Sequence, residues 1–242
     1  MKKHILTLIA VLWAAVVVAQ ESKTEYNFLR LPVSAHAAAL GGDNISITDD
    51  DEALIFNNPA FLTSVSDKTI SLHYINWMYK QKGCFAASAQ YINYGTMKEM
   101  DENNVQQGEF SAKDLSFAGY FSYLLTNKLS GGITAKFITS YIGSYNSIAM
   151  GVDLGLNYYD EETDLSVGLV CKNLGGQLKA YNDDFERMPI DVQLGVSKRL
   201  SHSPFRLSAT LVDLNHWDYG FINHLVAGVD IILSPSIWVG GG

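Results

Sequence analysis

The residues able to do chemistry are few and poorly spaced for it. The densest group is the acidic run Asp49-Asp50-Asp51-Glu52, with Asp43 upstream. Carboxylate oxygens suit Ca²⁺, but the spaced ligands and glycine of a calcium loop are missing, so a solvated turn is the favoured reading. Asp183, Asp184 and Glu186 are read the same way. The six His are scattered, one of them, His4, in the N-terminal leader, and no pair has zinc spacing. No G-x-S-x-G, S-x-x-K or H-E-x-x-H stretch occurs. The expectation is a protein that is not an enzyme, with no catalytic, cofactor-binding or metal-binding residue. Lys136 and Asp153 could line a pore, but an ion pair that fills one is favoured. Trp77 and Trp217 read as girdle or loop residues rather than ligand platforms. Cys84 and Cys171 both fall inside strand-like runs. Two cysteines are few for an exported chain that depends on disulfides, so they are read as small hydrophobes.

The elements that would position these residues are strands. Leu115, Phe117, Gly119, Phe121 and Tyr123 alternate with Ser116, Ala118, Tyr120 and Ser122. The rhythm repeats in Leu129–Phe137 and in Ile148–Tyr158. Side chains on a strand alternate between faces, so each run has one apolar face and one small or polar face. The runs are near the roughly 10 residues needed to cross a bilayer as a tilted strand, whereas sandwich strands average about 5–6. Further runs begin at Ile70, Phe85, Asp164, Val192, Phe205, Leu225 and Ile237. Charged residues make up only 17% of the chain and aromatics 12%, with 13 Tyr. Both suit a barrel with lipid outside and aromatic rims. After the first twenty residues no apolar run approaches the roughly 20 residues of a spanning helix.

The termini add a compartment and an expectation. Lys2 and Lys3, the apolar Ile5–Val18 and the small residues before Gln20 form a cleavable export signal over residues 1–19. The 17 Lys and Arg face 25 Asp and Glu, for a net charge of −8, and loss of the leader makes the chain more acidic. No basic stripe is visible, which argues against nucleic acid as a partner. Residues 20–68 do not alternate. They contain an alanine run ended by Gly41-Gly42 and an Asn57-Asn58-Pro59 turn, and read as an apolar, non-strand plug or hatch inside the barrel mouth. Residues 69–242 read as an antiparallel all-β transmembrane barrel. Its last run, Ile237–Val239, is short for a closing strand, so the barrel is expected to be incomplete at the C-terminus. The polar stretches Gly95–Lys113 and Leu174–Pro189 read as long outer loops, Tyr141–Asn146 as a shorter outer turn and Thr126–Lys128 as a periplasmic turn.

Several stretches together carry a family likeness. They are Tyr26–Pro32, Ser34–Gly42, Asp49-Asp50-Asp51, Asn58-Pro59-Ala60, Gln90–Gly95, Gly108–Ala112, Asn173–Lys179 and Pro204–Leu207, with Asp213-Leu214 and Trp217. Over residues 20–239 the chain resembles the PorQ family, FadL-like outer-membrane barrels related to PorV. The Asn-Pro-Ala turn is common among such barrels; the combination is specific. One departure is His36, where the family pattern has Arg. If the position makes a fixed ion pair, His would hold it only when protonated. The resemblance implies a barrel embedded in outer-membrane lipid, part of the type IX secretion system. It would anchor attachment-complex proteins at the surface: a PorZ-like protein, with PorU and PorV. The alternative is a FadL-like transporter of hydrophobic small molecules, with residues 20–68 as its hatch. A transporter would need an apolar pocket of about 300 Å³ or more.

Overall fold

The computed structural model describes residues 26–65, 74–79, 83–100, 106–182, 184–216, 220–234 and 237–242. The expected leader, Ile70, Leu72, Asp183 and Trp217 lie outside these residues, and Trp77 is described by its backbone alone. Ten strands form one antiparallel sheet in sequence order. They are β1 (Tyr74–Tyr79), β2 (Gly83–Met100), β3 (Gln106–Thr126), β4 (Leu129–Ile142) and β5 (Tyr145–Asp160). Then follow β6 (Leu165–Lys179), β7 (Asp191–Arg199), β8 (Phe205–Leu211), β9 (Leu225–Ser234) and β10 (Ile237–Gly241). No pairing joins β10 to β1 among the described residues, so the sheet is an incomplete barrel.

Period-two chemistry becomes two faces, as the alternation predicts. On β3, Ser116, Ala118, Tyr120 and Ser122 are buried, while Phe117 is 50% and Phe121 36% exposed. On the other strands Phe137, Met150, Leu169, Leu194 and Leu207 are also exposed. Among the described residues no second layer covers them. Full burial of such a side chain stabilises by about 1.5–3 kcal/mol, and a soluble monomer rarely leaves a continuous apolar patch beyond roughly 600 Å². The outer face therefore has the chemistry of a surface solvated by hydrocarbon.

The core lies inside, between the sheet and residues 26–65. That segment has no strand. It consists of 3₁₀ turns at Asn27–Arg30, Glu52–Phe56 and Pro59–Ser64 and one short helix, α1 (Ala35–Ala39). Ser34 caps α1 by accepting from the Ala37 amide, and Gly42 closes its far end by donating to the Ala37 carbonyl. Gly41 and Gly42 both have φ of +95°, which explains why glycines stand there. Asn58 caps the third turn ahead of Pro59, whose fixed φ suits a first helical position. This segment touches nine consecutive strands. Ile55 and Leu62 pack with Cys84 and Ala86 of β2 at one side, and His36 stacks on Trp238 of β10 at the other. Laid flat, nine strands would span roughly 38 Å. Only a curled sheet brings them all to one short segment, which is the plug.

Two expected loops are strands instead. Most of Gly95–Lys113 continues β2 and β3, with Lys98 opposite Glu109 and Thr96 opposite Ser111. Likewise β6 runs on to Lys179, leaving only residues 180–190 as a connection. Polar strands beyond the lipid band need no apolar alternation, so period two cannot reveal them. Both also carry a bulge, with Gly95 at φ +78° and Asn173 at φ +57°, which breaks the parity. Tyr141–Asn146 tightens to a two-residue turn, residues 143–144, with Gly143 at φ +59°.

Candidate functional site: the plugged lumen

The lumen wall is lined by small and polar side chains that meet the plug in three groups. At the end of the wall that carries the longer connections, the Tyr26 hydroxyl bonds Ser147 of β5 and accepts from Gln177 of β6 at 3.2 Å. Tyr26 and Phe28 form an apolar cluster with Ile138, Ala149 and Met188.

The middle group is ionic. Lys136 lies 2.7 Å from Asp153, as the strand pattern predicts, and donates to Asn173 Oδ1 at 2.8 Å. The Asn173 bulge frees its backbone N–H to bond Asp153 at 2.7 Å. Lys172 of β6 reaches Asp43 of the plug at 3.2 Å, and Gln193 Nε2 donates to the same carboxylate at 2.9 Å.

The third group holds the acidic run. Arg206 of β8 grips Asp49 with two 2.8 Å hydrogen bonds and Asp230 of β9 with one of 2.9 Å from Nε. His36 completes it, 3.2 Å from Asp230 and stacked on Trp238 with ring centroids 3.7 Å apart. Position 36 thus faces two carboxylates, Asp230 at 3.2 Å and Asp49 at 3.7 Å. Arg206 already supplies a permanent cation there, so the pairing does not depend on His36 alone. Asp51 accepts from Ser34 Oγ at 3.0 Å and from the Ala53 amide at 2.9 Å. The run is therefore a set of plug tethers and turn caps. Among the described residues no group of three acidic, His or Cys side chains could hold a metal ion.

A belt of glycines lets the plug lie close to the wall. Gly132, Gly155 and Gly168 stand where a Cβ would fall inside contact distance of Pro59, Asn58 and the Ile45 carbonyl. Gly132 and Gly155 are cross-strand partners, as are Gly168 and Gly195, so the belt crosses the sheet. Asn58 is fully buried over it, donating to the carbonyls of Ile45 at 3.1 Å and Leu156 at 3.2 Å. No glycine pattern in the sequence reading marked this belt, because the contacting plug residues lie far away in the chain.

Two spaces remain. One cavity of about 30 Å³ lies between plug and wall, lined by Lys136, Asp153, Lys172, Asp43, Tyr120 and Ser116 among others. A larger chamber, about 620 Å³, opens below the plug and is lined by Asp49, Asp50, Asp164, Arg199, Arg206 and Trp238 among others. The first has room for only a water or two, and the second is lined by charged side chains together with the apolar Ile232, Leu233 and Trp238. Cys84 is buried in the lumen and Cys171 half-buried, and neither forms a disulfide among the described residues.

A curled antiparallel sheet with a coiled N-terminal segment in its lumen and an apolar exterior is an architecture seen before. The fold is FadL-like. It is similar to the Pseudomonas putida toluene transporter TodX, at 14% identity over 73% of this chain and 68% of TodX, with a TM-score of 0.53. A TodX deltaS2S3 mutant, described as a monoaromatic hydrocarbon channel, aligns at 15% identity over 74% of this chain and 69% of its own, with a TM-score of 0.48. No family model and no curated protein matches the sequence.

Proposed function

We propose that this chain is a non-enzymatic barrel of the bacterial outer membrane that works as a docking component of type IX secretion. It would sit with its longer connections, residues 180–190 and 212–224, and the tip of the β2–β3 hairpin at the cell surface. There it would anchor attachment-complex proteins, a PorZ-like protein above all, alongside PorU and PorV. The observation that carries this reading is the seated plug. Backbone lies against glycine, the Lys172–Asp43 and Arg206–Asp49 tethers cross the interface, and the cavity between plug and wall is only about 30 Å³. A small-molecule pocket is typically about 300–1,000 Å³ and mostly apolar; the chamber of about 620 Å³ has that size, but Asp49, Asp50, Asp51, Asp164, Arg199 and Arg206 charge its lining. The link to type IX secretion itself rests on the PorQ resemblance.

A second reading is favoured by a different observation. The likeness to TodX supports a transporter of hydrophobic small molecules, with the plug as a hatch. The two readings separate in one experiment: the full-length protein is purified from native outer membranes in mild detergent. Docking predicts recovery of a PorZ-like protein and no bound hydrophobic molecule. Recovery of the barrel with a stoichiometric hydrophobic ligand and without a protein partner would favour transport.

A further inference from the structure

The wall is not equally tall all round. β5 has 16 residues and β6 has 15, but β8 has only 7. At about 3.3 Å per residue and a tilt of roughly 40°, seven residues rise about 18 Å. The apolar band of such a barrel is about 25 Å tall. Beside β8 another element must face the remaining lipid, and it must do so without baring backbone N–H and C=O groups.

The 3₁₀ turn Phe221–His224 stands at the end of that short strand. It leads directly into β9, and the β8–β9 ladder runs on into it, since the Val212 amide donates to the His224 carbonyl at 2.8 Å. His224 Nδ1 donates to the Val212 carbonyl at 3.0 Å, and the His224 side chain is buried. The turn is thus pinned to the wall. Its own bonds, from the Asn223 amide to the Gly220 carbonyl at 2.9 Å and from the Leu225 amide to the Ile222 carbonyl, occupy backbone groups that lipid could not satisfy. Side chains three apart eclipse in a 3₁₀ turn, so Ile222 lies in line with Leu225. Leu225 and Val229 are exposed on the outward face of β9. Ile222 is 81% exposed, more than any other large apolar side chain among the described residues.

We propose that the turn Phe221–His224 is sunk in the lipid beside β8 and β9, with Ile222 in the edge of the hydrocarbon layer. Four residues of 3₁₀ helix rise by up to about 8 Å, which makes up the height that β8 lacks. The occupant is lipid because the turn continues the apolar outward column of β9 and contains no Lys, Arg, Asp or Glu. The inference rests on the membrane barrel. It depends neither on which end of the barrel faces outward nor on the docking role.

The test uses the full-length protein, with Cys84 and Cys171 replaced by Ala, purified and reconstituted without partners into phosphatidylcholine vesicles. A bimane fluorophore is attached to Ile222→Cys, to Leu169→Cys as the lipid control and to Glu109→Cys as the water control. The quencher is phosphatidylcholine carrying a nitroxide near the top of its acyl chain. Ile222→Cys should lose fluorescence to an extent comparable with Leu169→Cys, while Glu109→Cys is unaffected. If Ile222→Cys is unaffected and Leu169→Cys is quenched, the turn lies outside the lipid: the inference fails and the barrel stands. Iodide then tells whether water or protein covers the turn. If Leu169→Cys is also unaffected, the membrane barrel itself fails, and the inference with it.

Discussion

Arg206 is the side chain on which the lower half of the plug depends. It joins Asp49 of the plug to Asp230 of the wall, and Asp230 is 1% exposed. Removing one member of a buried ion pair leaves an uncompensated charge and costs about 3–5 kcal/mol. Arg206→Met should therefore lower the urea midpoint of the full-length barrel in micelles far more than His36→Gln, which keeps a hydrogen-bond donor and should cost about 1 kcal/mol. Equal midpoints for the two variants would contradict this assignment. The Lys128–Asp160 pair at the rim of short turns, 2.7 Å apart, gives a pH dependence of known sign. The hydrogen bond from Lys128 holds the Asp160 carboxyl below its usual range, and the same bond raises Lys128. Its contribution is present at neutral pH. It is lost as pH falls through the lowered Asp160 value, or rises through the elevated Lys128 value. Urea midpoints of the wild type and Asp160→Asn should therefore converge only at those two extremes, and Lys128 is so exposed that the difference between them stays small. Of these pairings, Lys136–Asp153 was legible in the sequence, because strand parity puts both on the lumen face of neighbouring strands. Arg206–Asp49 was not, because the plug has no period from which to infer where Asp49 lands.

At the scale of elements, the glycine belt decides whether the plug seats. Gly168→Ala and Gly155→Ala each push a methyl group into plug atoms, Ile45 O and Asn58 with Pro59. Overpacking of this kind costs about 1–3 kcal/mol. Both variants should expose residues 26–65 to proteinase K in the folded barrel, whereas Gly119→Ala, with no atom within 4 Å, should not. Protection unchanged in all three would mean the plug is not held by this contact. The β2–β3 hairpin makes a second prediction. Since its arms are paired strand, deleting residues 96–111 removes both together and leaves Asn93 opposite Lys113. On the proposed docking role, the barrel should stay in the membrane and no longer retain the PorZ-like protein; full retention would count against that role for this hairpin. Strand number and lumen-facing residues were readable because lipid on one side and plug on the other enforce alternation. The distal arms of β2, β3 and β6 were not, since water on both sides selects no pattern.

For the whole molecule, a plug touching nine strands forces the curl, and the curl turns every odd residue of β3 outward. The wrapping itself could not be read from the sequence, because contacts such as Asn44 to Ser208 and His36 to Asp230 span more than 160 residues. What the sequence did carry was the demand for a hydrocarbon surface. That demand is the central claim, and spin labels test it most directly. Single labels at Phe117, Phe137, Met150 and Leu169 of the full-length protein in outer-membrane vesicles should be open to oxygen and closed to a water-soluble nickel chelate, with Glu109 on the distal arm showing the reverse. Labels closed to both probes would mean that a second protein layer covers this face. Labels open to the chelate would mean that water does, and either result would contradict the membrane barrel.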